Sequence, residues 1–360
     1  MTGRVLLIRL GAMGDTLQAS SVAGMLKKQF PHLEIDFLSS AGVGGLFDMI
    51  PAVSQVYPLP FRKIPLWCHP WWMAILGSMN RKNYALAYLM ETNPRFLPLL
   101  EQVRASRKVV LGQTENQEGT EGNVPNPVRY QQGLWNAGLA NREICHPELI
   151  VQAGQERGAI DLLLSLGLDP HAPLVGLHAG NSFHMRKPWR RKLRRTDLRA
   201  WPENRWCDLI SEMHRANGHI QFVLFGGPQD RNTNRHLRGR LRRVLPGVSL
   251  ADAAGKTDLP LAAALLKKFS MFVCTDTGPL HMAAALNVPF IGLYGPTRFD
   301  ETQPFPAEPV GAVIRKSCPC QPCFGTPMQR TCRENLCMQR IEAEEVARKA
   351  MEICPLLFPR

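Results

Sequence analysis

The chain has 360 residues, 45% of them apolar, with a formal net charge of +13 and a pI near 9.5. That length exceeds one ordinary core and predicts about two domains. No run of about 18 apolar residues occurs, which argues against a membrane-spanning helix, and the charge favours anionic partners: nucleotides, phosphorylated glycans, a membrane surface or nucleic acid.

In chain order, VLLIRL reads as a strand, TLQASSVAGMLKKQF as a helix, EIDFLSS as a strand, AGVGGLFDMI as a helix and VSQVYPL as a strand. NYALAYLME and KVVLG add two further strands, and the polar stretch 113–127 reads as a loop. The opening MTGRVLLIRLGAMGD is too short in its apolar part, and too soon acidic, for a signal peptide, so a cytoplasmic location is expected. ERGAIDLLLSLGLDP reads as a linker helix. A second alternation follows it, with strands PLVGLHAG, IQFVLFGGP, MFVCTDTG and PFIGLYGP and helices WCDLISEMHRANG, DLPLAAALLKKF and GPLHMAAALN. The last helix is EAEEVARKAMEI. Strands alternating with helices imply βαβ units and parallel sheets. The fold class is α/β, two Rossmann-like doubly wound domains facing a cleft, with ligands expected outside the carboxyl ends of the strands. The expected domains are 1–165 (acceptor side), 170–340 (donor side) and a C-terminal helix and tail, 341–360.

Two stretches concentrate the chemistry. In RLGAMGDTL, a buried strand ends in a glycine turn that carries Asp15 to the start of a helix. Gly11 and Gly14 keep that turn thin; G-x-x-G in place of G-x-G-x-x-G argues against dinucleotide binding. Asp15 is either a helix cap or a general base. In CTDTGPLHMAAALNVPFIGLYGPT, a strand delivers Asp276, Thr277 and Gly278 to a helix opened by Pro279, with His281 near its first turn. Free N–H groups at such a helix start suit a diphosphate; the alternative is N-capping by Asp276 or Thr277 with a structural histidine.

These two motifs together resemble the family 9 glycosyltransferases, the lipopolysaccharide heptosyltransferases, from Val5 to about Val346. The resemblance implies a glycosyltransferase-B fold, an ADP-heptose donor, inversion at the sugar C1 and an anionic glycolipid acceptor. It makes Asp15 the general base and gives Asp276, Thr277, Gly278 and His281 to the donor. Gly180, Asn181 and Ser182, at the end of PLVGLHAG, are expected to line the phosphates. The family's lysine stands two residues before a Trp-Pro pair; here that position is Arg199, before Trp201-Pro202, with Lys187 as second choice inside an arginine-rich insertion. Asp230 of FGGPQD matches the acidic residue that reaches the donor ribose. The chain contains no D-x-D, so no cofactor is expected for transfer.

Other features stay open at the level of sequence. Cys320, Cys323, Cys332 and Cys337, with Cys318 beside them, form a structural metal site, a set of reduced thiols or opportunistic disulfides. Trp67, Trp71 and Trp72, flanked by cations, are either core aromatics or a peripheral contact with the inner face of the cytoplasmic membrane. A transferase of the same fold acting on a protein or another glycan is the alternative function. A nucleic-acid-binding protein, driven by the arginine run and RHLRGRLRR, lacks any recognisable module.

Overall fold

Both alternating series close into parallel sheets, and each sheet belongs to its own unit, Met1–Ile150 and Val151–Arg360. The computed structural model describes residues 2–60, 70–113, 124–180, 198–306, 311–332 and 334–358. None of its helices is long and apolar enough to cross a membrane, among the described residues.

The first unit runs β1 (Arg4–Arg9), α1 (Met13–Gln29), β2 (Glu34–Ser40), β3 (Gln55–Leu59), α2 (Pro70–Asn80), β4 (Tyr84–Leu89), α3 (Leu97–Gln102), β5 (Ala105–Val110) and α4 (Asn126–Asn136). Its parallel sheet has the order β3-β2-β1-β4-β5. The chain steps outward from β1 to β3 and then crosses to β4 on the other side of β1. The switch point lies between β1 and β4, where ligands bind in open α/β sheets. Val5 to Ile8 are wholly buried, as a parallel strand covered on both faces requires. The small residues of α1 follow from packing against α4. Ser20 and Ser21 are buried by turning their hydroxyls back on Leu17 O (2.7 Å) and Gln18 O (2.8 Å), and Gln131 of α4 donates to Ser21 Oγ (3.2 Å). Asp36 in β2 is fully buried, held by Arg4 Nη1 (2.7 Å), Lys82 Nζ (3.1 Å) and the Tyr84 hydroxyl (2.8 Å).

The second unit runs α5 (Ala153–Ser165), β6 (Leu174–His178), α6 (Glu203–Ala216), β7 (Gln221–Leu224), α7 (Arg231–Val244), β8 (Leu250–Asp252), α8 (Leu259–Leu266), β9 (Met271–Thr275), α9 (Gly278–Ala285), β10 (Phe290–Tyr294), α10 (Phe299–Thr302), β11 (Gly311–Arg315), α11 (Leu336–Gln339) and α12 (Ala343–Ile353). The parallel order is β11-β10-β9-β6-β7-β8, which puts the switch point between β6 and β9.

Several sequence expectations change. The helix read as a linker, α5, packs on α8, with Lys267 Nζ 2.6 Å from Glu156, so it belongs to the second unit and the boundary moves to 150/151. The last helix, α12, packs on α6 and β11, so it is part of that unit rather than a tail. Ala41–Met49 is 3-10 helical, not α-helical, with three glycines lowering its α propensity. The expected loop at 113–127 overlaps α4, which begins at Asn126; part of that stretch lies outside the described residues. Trp72 is fully buried, its indole N–H donating to Gln102 Oε1 (3.0 Å), Trp71 is 64% exposed, and Trp67 lies outside the described residues.

Candidate active site

At the switch point of the first unit, β1 ends in Arg9 and the chain leaves β4 through Met90 and Glu91. Arg9 Nη1 donates to Glu91 Oε2 (2.7 Å) and to Met90 O (2.9 Å), while Glu91 Oε1 accepts the Leu10 N–H (2.9 Å). The other guanidinium nitrogen, Nη2, stands 3.3 Å from Asp15 Oδ1, and the Tyr130 ring lies 5.5 Å below the guanidinium carbon. Burial opposes the charge on Arg9, but Tyr130, Asp15 and Glu91 outweigh it and its pKa is raised. Burial pushes the Tyr130 hydroxyl up to about 12. Asp15 Oδ2 accepts the Ala12 N–H (3.0 Å), so the carboxylate does tie the helix start, and it also faces outward. Its side chain is 36% exposed, against 15% for Arg9 and 11% for Glu91. The Arg9 and Ala12 contacts account for two of its lone pairs. A Cβ at Gly11 would lie 2.4 Å from Asp15 Cβ, so this glycine makes room for the carboxylate. Gly14 is buried in the first turn of α1.

At the switch point of the second unit, His178 closes β6 and Thr277 occupies the N-cap position of α9. Thr277 does not cap with its side chain. Its Oγ1 bonds Thr275 O (3.2 Å) and faces His178 Nδ1 (3.1 Å) and Cys274 Sγ (3.1 Å). The helix start therefore offers backbone N–H groups and a positive dipole end without a competing side-chain oxygen from Thr277. Asp276 and His281 are buried beside it, His281 Nε2 lying 3.9 Å from Asp276 Oδ1. Arg199 reaches this turn: Nη1 donates to Asp276 O (3.1 Å), and its guanidinium stacks 4.9 Å over the Phe324 ring. Asn181, Ser182 and Lys187 lie outside the described residues.

Asp230 departs from expectation. It is fully buried, Oδ2 accepting the Gly227 N–H (2.8 Å) and lying 3.4 Å from His178 Nε2. A Cβ at Gly180 would meet Asp230 Oδ1 at 1.9 Å, and one at Gly226 would meet Oδ2 at 2.5 Å. The carboxylate thus fills the space beneath the turns after β6 and β7, and a ribose diol has no exposed oxygen there to meet. Gly180 is required by this packing. Burial of the His178 ring opposes its charge, but Cys274 and Asp230 outweigh it and raise its pKa to about 10. His178 was not legible as a site residue, because its partners lie 52 and 99 residues away in sequence.

The cysteine region also departs from the metal reading. Among the described residues, no group of three or more ligating side chains could hold a metal ion. Cys318, Cys323 and Cys337 are buried free thiols, and Cys320 and Cys332 are partly buried. Burial and the neighbouring sulfurs push the Cys337 thiol up to about 12, the mark of an inert packed cysteine. A Cβ at Gly295 would meet Met338 Sδ at 2.5 Å and Cys337 Sγ at 3.3 Å, so this region packs as core against the turn after β10.

Residues 194–334 match the model of glycosyltransferase family 9 (heptosyltransferase). The chain is 25% identical over 313 residues to lipopolysaccharide heptosyltransferase 2 of Salmonella typhimurium, covering 84% of this chain and 85% of that protein. Its fold is similar to that of the E. coli ADP-heptose lipopolysaccharide heptosyltransferase II, with a TM-score of 0.74, 19% identity and coverage of 98% and 99%. It is also similar to an E. coli heptosyltransferase solved with ADP, with a TM-score of 0.67, 20% identity and coverage of 97% and 99%. The two parallel-sheet units agree with these likenesses: the chain has the glycosyltransferase-B fold, and its second unit resembles glycosyltransferase family 9.

Proposed function

We propose that the chain is an inverting glycosyltransferase that moves a heptose from ADP-heptose to a lipopolysaccharide core or related surface-glycan acceptor, at the cytoplasmic face of the membrane. The observation that carries this reading is Asp15, a partly exposed carboxylate pinned at the switch point of the first unit by Arg9 and the Ala12 N–H. Inverting transfer needs such a base. As the acceptor oxygen bonds to C1 of the heptose, its proton passes to Asp15, and the bond from C1 to the diphosphate oxygen breaks. ADP leaves with the electron pair. Its growing charge suits the N–H groups that open α9 and a cation at Arg199, which sits on the Asp276 carbonyl of that turn.

The sequence holds no D-x-D to carry a divalent ion, so side chains and dipoles supply the positive charge. The test is ADP release by the purified chain, given ADP-heptose and a heptose-deficient lipopolysaccharide core. Release that needs both substrates and survives EDTA supports the reading. Loss of turnover in EDTA with the fold intact, restored by Mg²⁺ or Mn²⁺, overturns the metal-free assignment. No turnover with any glycan core, but turnover on a protein acceptor, transfers the same chemistry to the alternative acceptor.

A further inference from the structure

Helix α7 carries a second concentration of chemistry that the proposed transfer does not use. Positions 231–256 hold six arginines and one lysine against a single carboxylate, close to half of the chain's net +13. Arg231, Arg235, Arg238 and Arg242 follow a spacing of four, three and four, which places them along one face of the helix. Over that interval the helix rises about 16 Å. They line a cavity of about 460 Å³, whose other wall comes from Asp252 and Lys256, around the end of the edge strand β8.

The charges in this groove are not internally balanced. Among the described residues, no carboxylate lies within ion-pair distance of these four arginines or Lys256. Asp252 is already engaged: its Oδ1 accepts Asn234 Nδ2 (2.8 Å) and the Ala254 N–H (3.0 Å). Arg231 is anchored on Ala254 O (3.3 Å) and Gly255 O (3.0 Å), which fixes one end of the row. Gly239 lines the groove from the middle of the helix, and a Cβ there would meet nothing within 4 Å. Glycine weakens a helix interior, and packing within the chain does not require it here; it leaves the groove floor open.

We propose that this groove is a second anion site, separate from the diphosphate site at α9, and that it takes a ligand bearing adjacent phosphate groups. Arginine in every helical position of the row, with no lysine among them, favours phosphate, because the planar fork pairs two N–H groups with two phosphate oxygens. A concave seat favours a discrete multi-phosphate group over a flat field. Such phosphates come either from lipid headgroups at a bilayer or from a free oligophosphate. The inference does not rest on the transferase reading, because its readout is binding.

The test uses the full chain and the variant R238A/R242A, which leaves Arg231 and its carbonyl contacts in place. Inorganic tripolyphosphate is titrated by calorimetry in the absence and presence of saturating ADP. Co-sedimentation is measured with phosphatidylcholine vesicles, with and without phosphatidylglycerol. The expected result is tripolyphosphate binding that persists with ADP bound, weakens as salt is raised and falls at least tenfold in the variant, with ADP affinity unchanged. Co-sedimentation with the anionic vesicles that the variant loses assigns the lipid source; its absence assigns the free oligophosphate. Displacement of tripolyphosphate by ADP, equal binding by the variant, or no binding at all overturns the proposal. A charge reversal, R242E, with the circular dichroism spectrum of the wild type guards against loss of fold as the cause.

Discussion

Arg9 and Asp15, at the two ends of the first glycine turn, stand 3.3 Å apart, and the same guanidinium grips Glu91 at 2.7 Å. One cation therefore fixes the carboxylate and joins β1 to the end of β4. Asp15→Asn keeps a similar shape and removes the base. It is expected to leave ADP affinity nearly intact and to lower kcat by about two to four orders of magnitude. Steady-state turnover with titration of ADP checks this; wild-type kcat in the variant reduces Asp15 to a helix tie.

Gly11→Ala tests the same carboxylate without touching it. The new Cβ would stand 2.4 Å from Asp15 Cβ and 2.9 Å from Oδ2, so the side chain or the turn must shift. Misplacement by about 1 Å costs on the order of a hundredfold in rate. The expected variant folds, binds ADP as the wild type does and turns over much more slowly. Unchanged kcat with unchanged stability would mean that the turn relaxes freely.

His178 makes stability depend on pH in a stated direction. Its pKa rises from an ordinary value of about 6.5 to about 10 in the folded chain. A raised folded pKa gives stability that is fully present below the unfolded value and is lost as pH rises through the folded value. The melting temperature should therefore fall between about pH 6.5 and pH 10, with Cys274, Thr277 and Asp230 facing the ring. His178→Gln should lower stability at pH 6.5 and flatten that profile. A parallel profile in the variant would remove the His178 contacts with Cys274 and Asp230 from the account.

Arg199→Ala should weaken ADP by at least tenfold, the scale of a lost charge-assisted hydrogen bond of about 1.5–3 kcal/mol. It should slow transfer as well, because the charge it meets grows as the sugar bond breaks. Arg199→Lys should recover part of both. Equal ADP affinity in the alanine variant would pass the role to a cation such as Lys187.

Asp36→Ala leaves Arg4 and Lys82 facing a buried gap where their carboxylate was. Arg4 keeps Glu34 and Lys82 keeps Gln55, so the loss is on the order of 1–3 kcal/mol, the scale of charged hydrogen bonds removed from a buried oxygen. Urea unfolding of the first unit should show that loss. The residue begins the far end of the sheet from Asp15, so kcat of the folded fraction should stay within about twofold, an expectation for distant, independent sites.

The two sheets were legible because parallel strands buried on both faces read as unbroken apolar runs such as Val5–Ile8 and Met271–Val273. Two edge strands of the second sheet were not: β8 has three residues, and β11, Gly311–Arg315, holds only Val313 and Ile314 as large apolar residues. Asp15 and the D-T-G turn stood out because strand, glycine and helix start follow one another locally. Their partners did not. Arg9 with Glu91, and His178 with Thr277, are brought together only by strand order, which local spacing does not encode. Asp230 came from the resemblance alone; its burial against Gly180 and Gly226 depends on turns that local spacing does not bring together. The arginines of 235–243 read as a patch, whereas the buried Leu237 and Leu241 show them to be the outer face of a core helix.

Each switch point is also a seam. In the first unit, the halves built before and after the crossover meet at Arg9 and Glu91; in the second, they meet at His178 and Thr277. Neither cluster can exist until both halves of its sheet have paired. A nucleotide seated at α9 would bridge such a seam and add contacts that span both halves of the sheet. Substrate binding and resistance of that unit to local opening would then be two readings of one event, with the gain following ligand concentration by mass action.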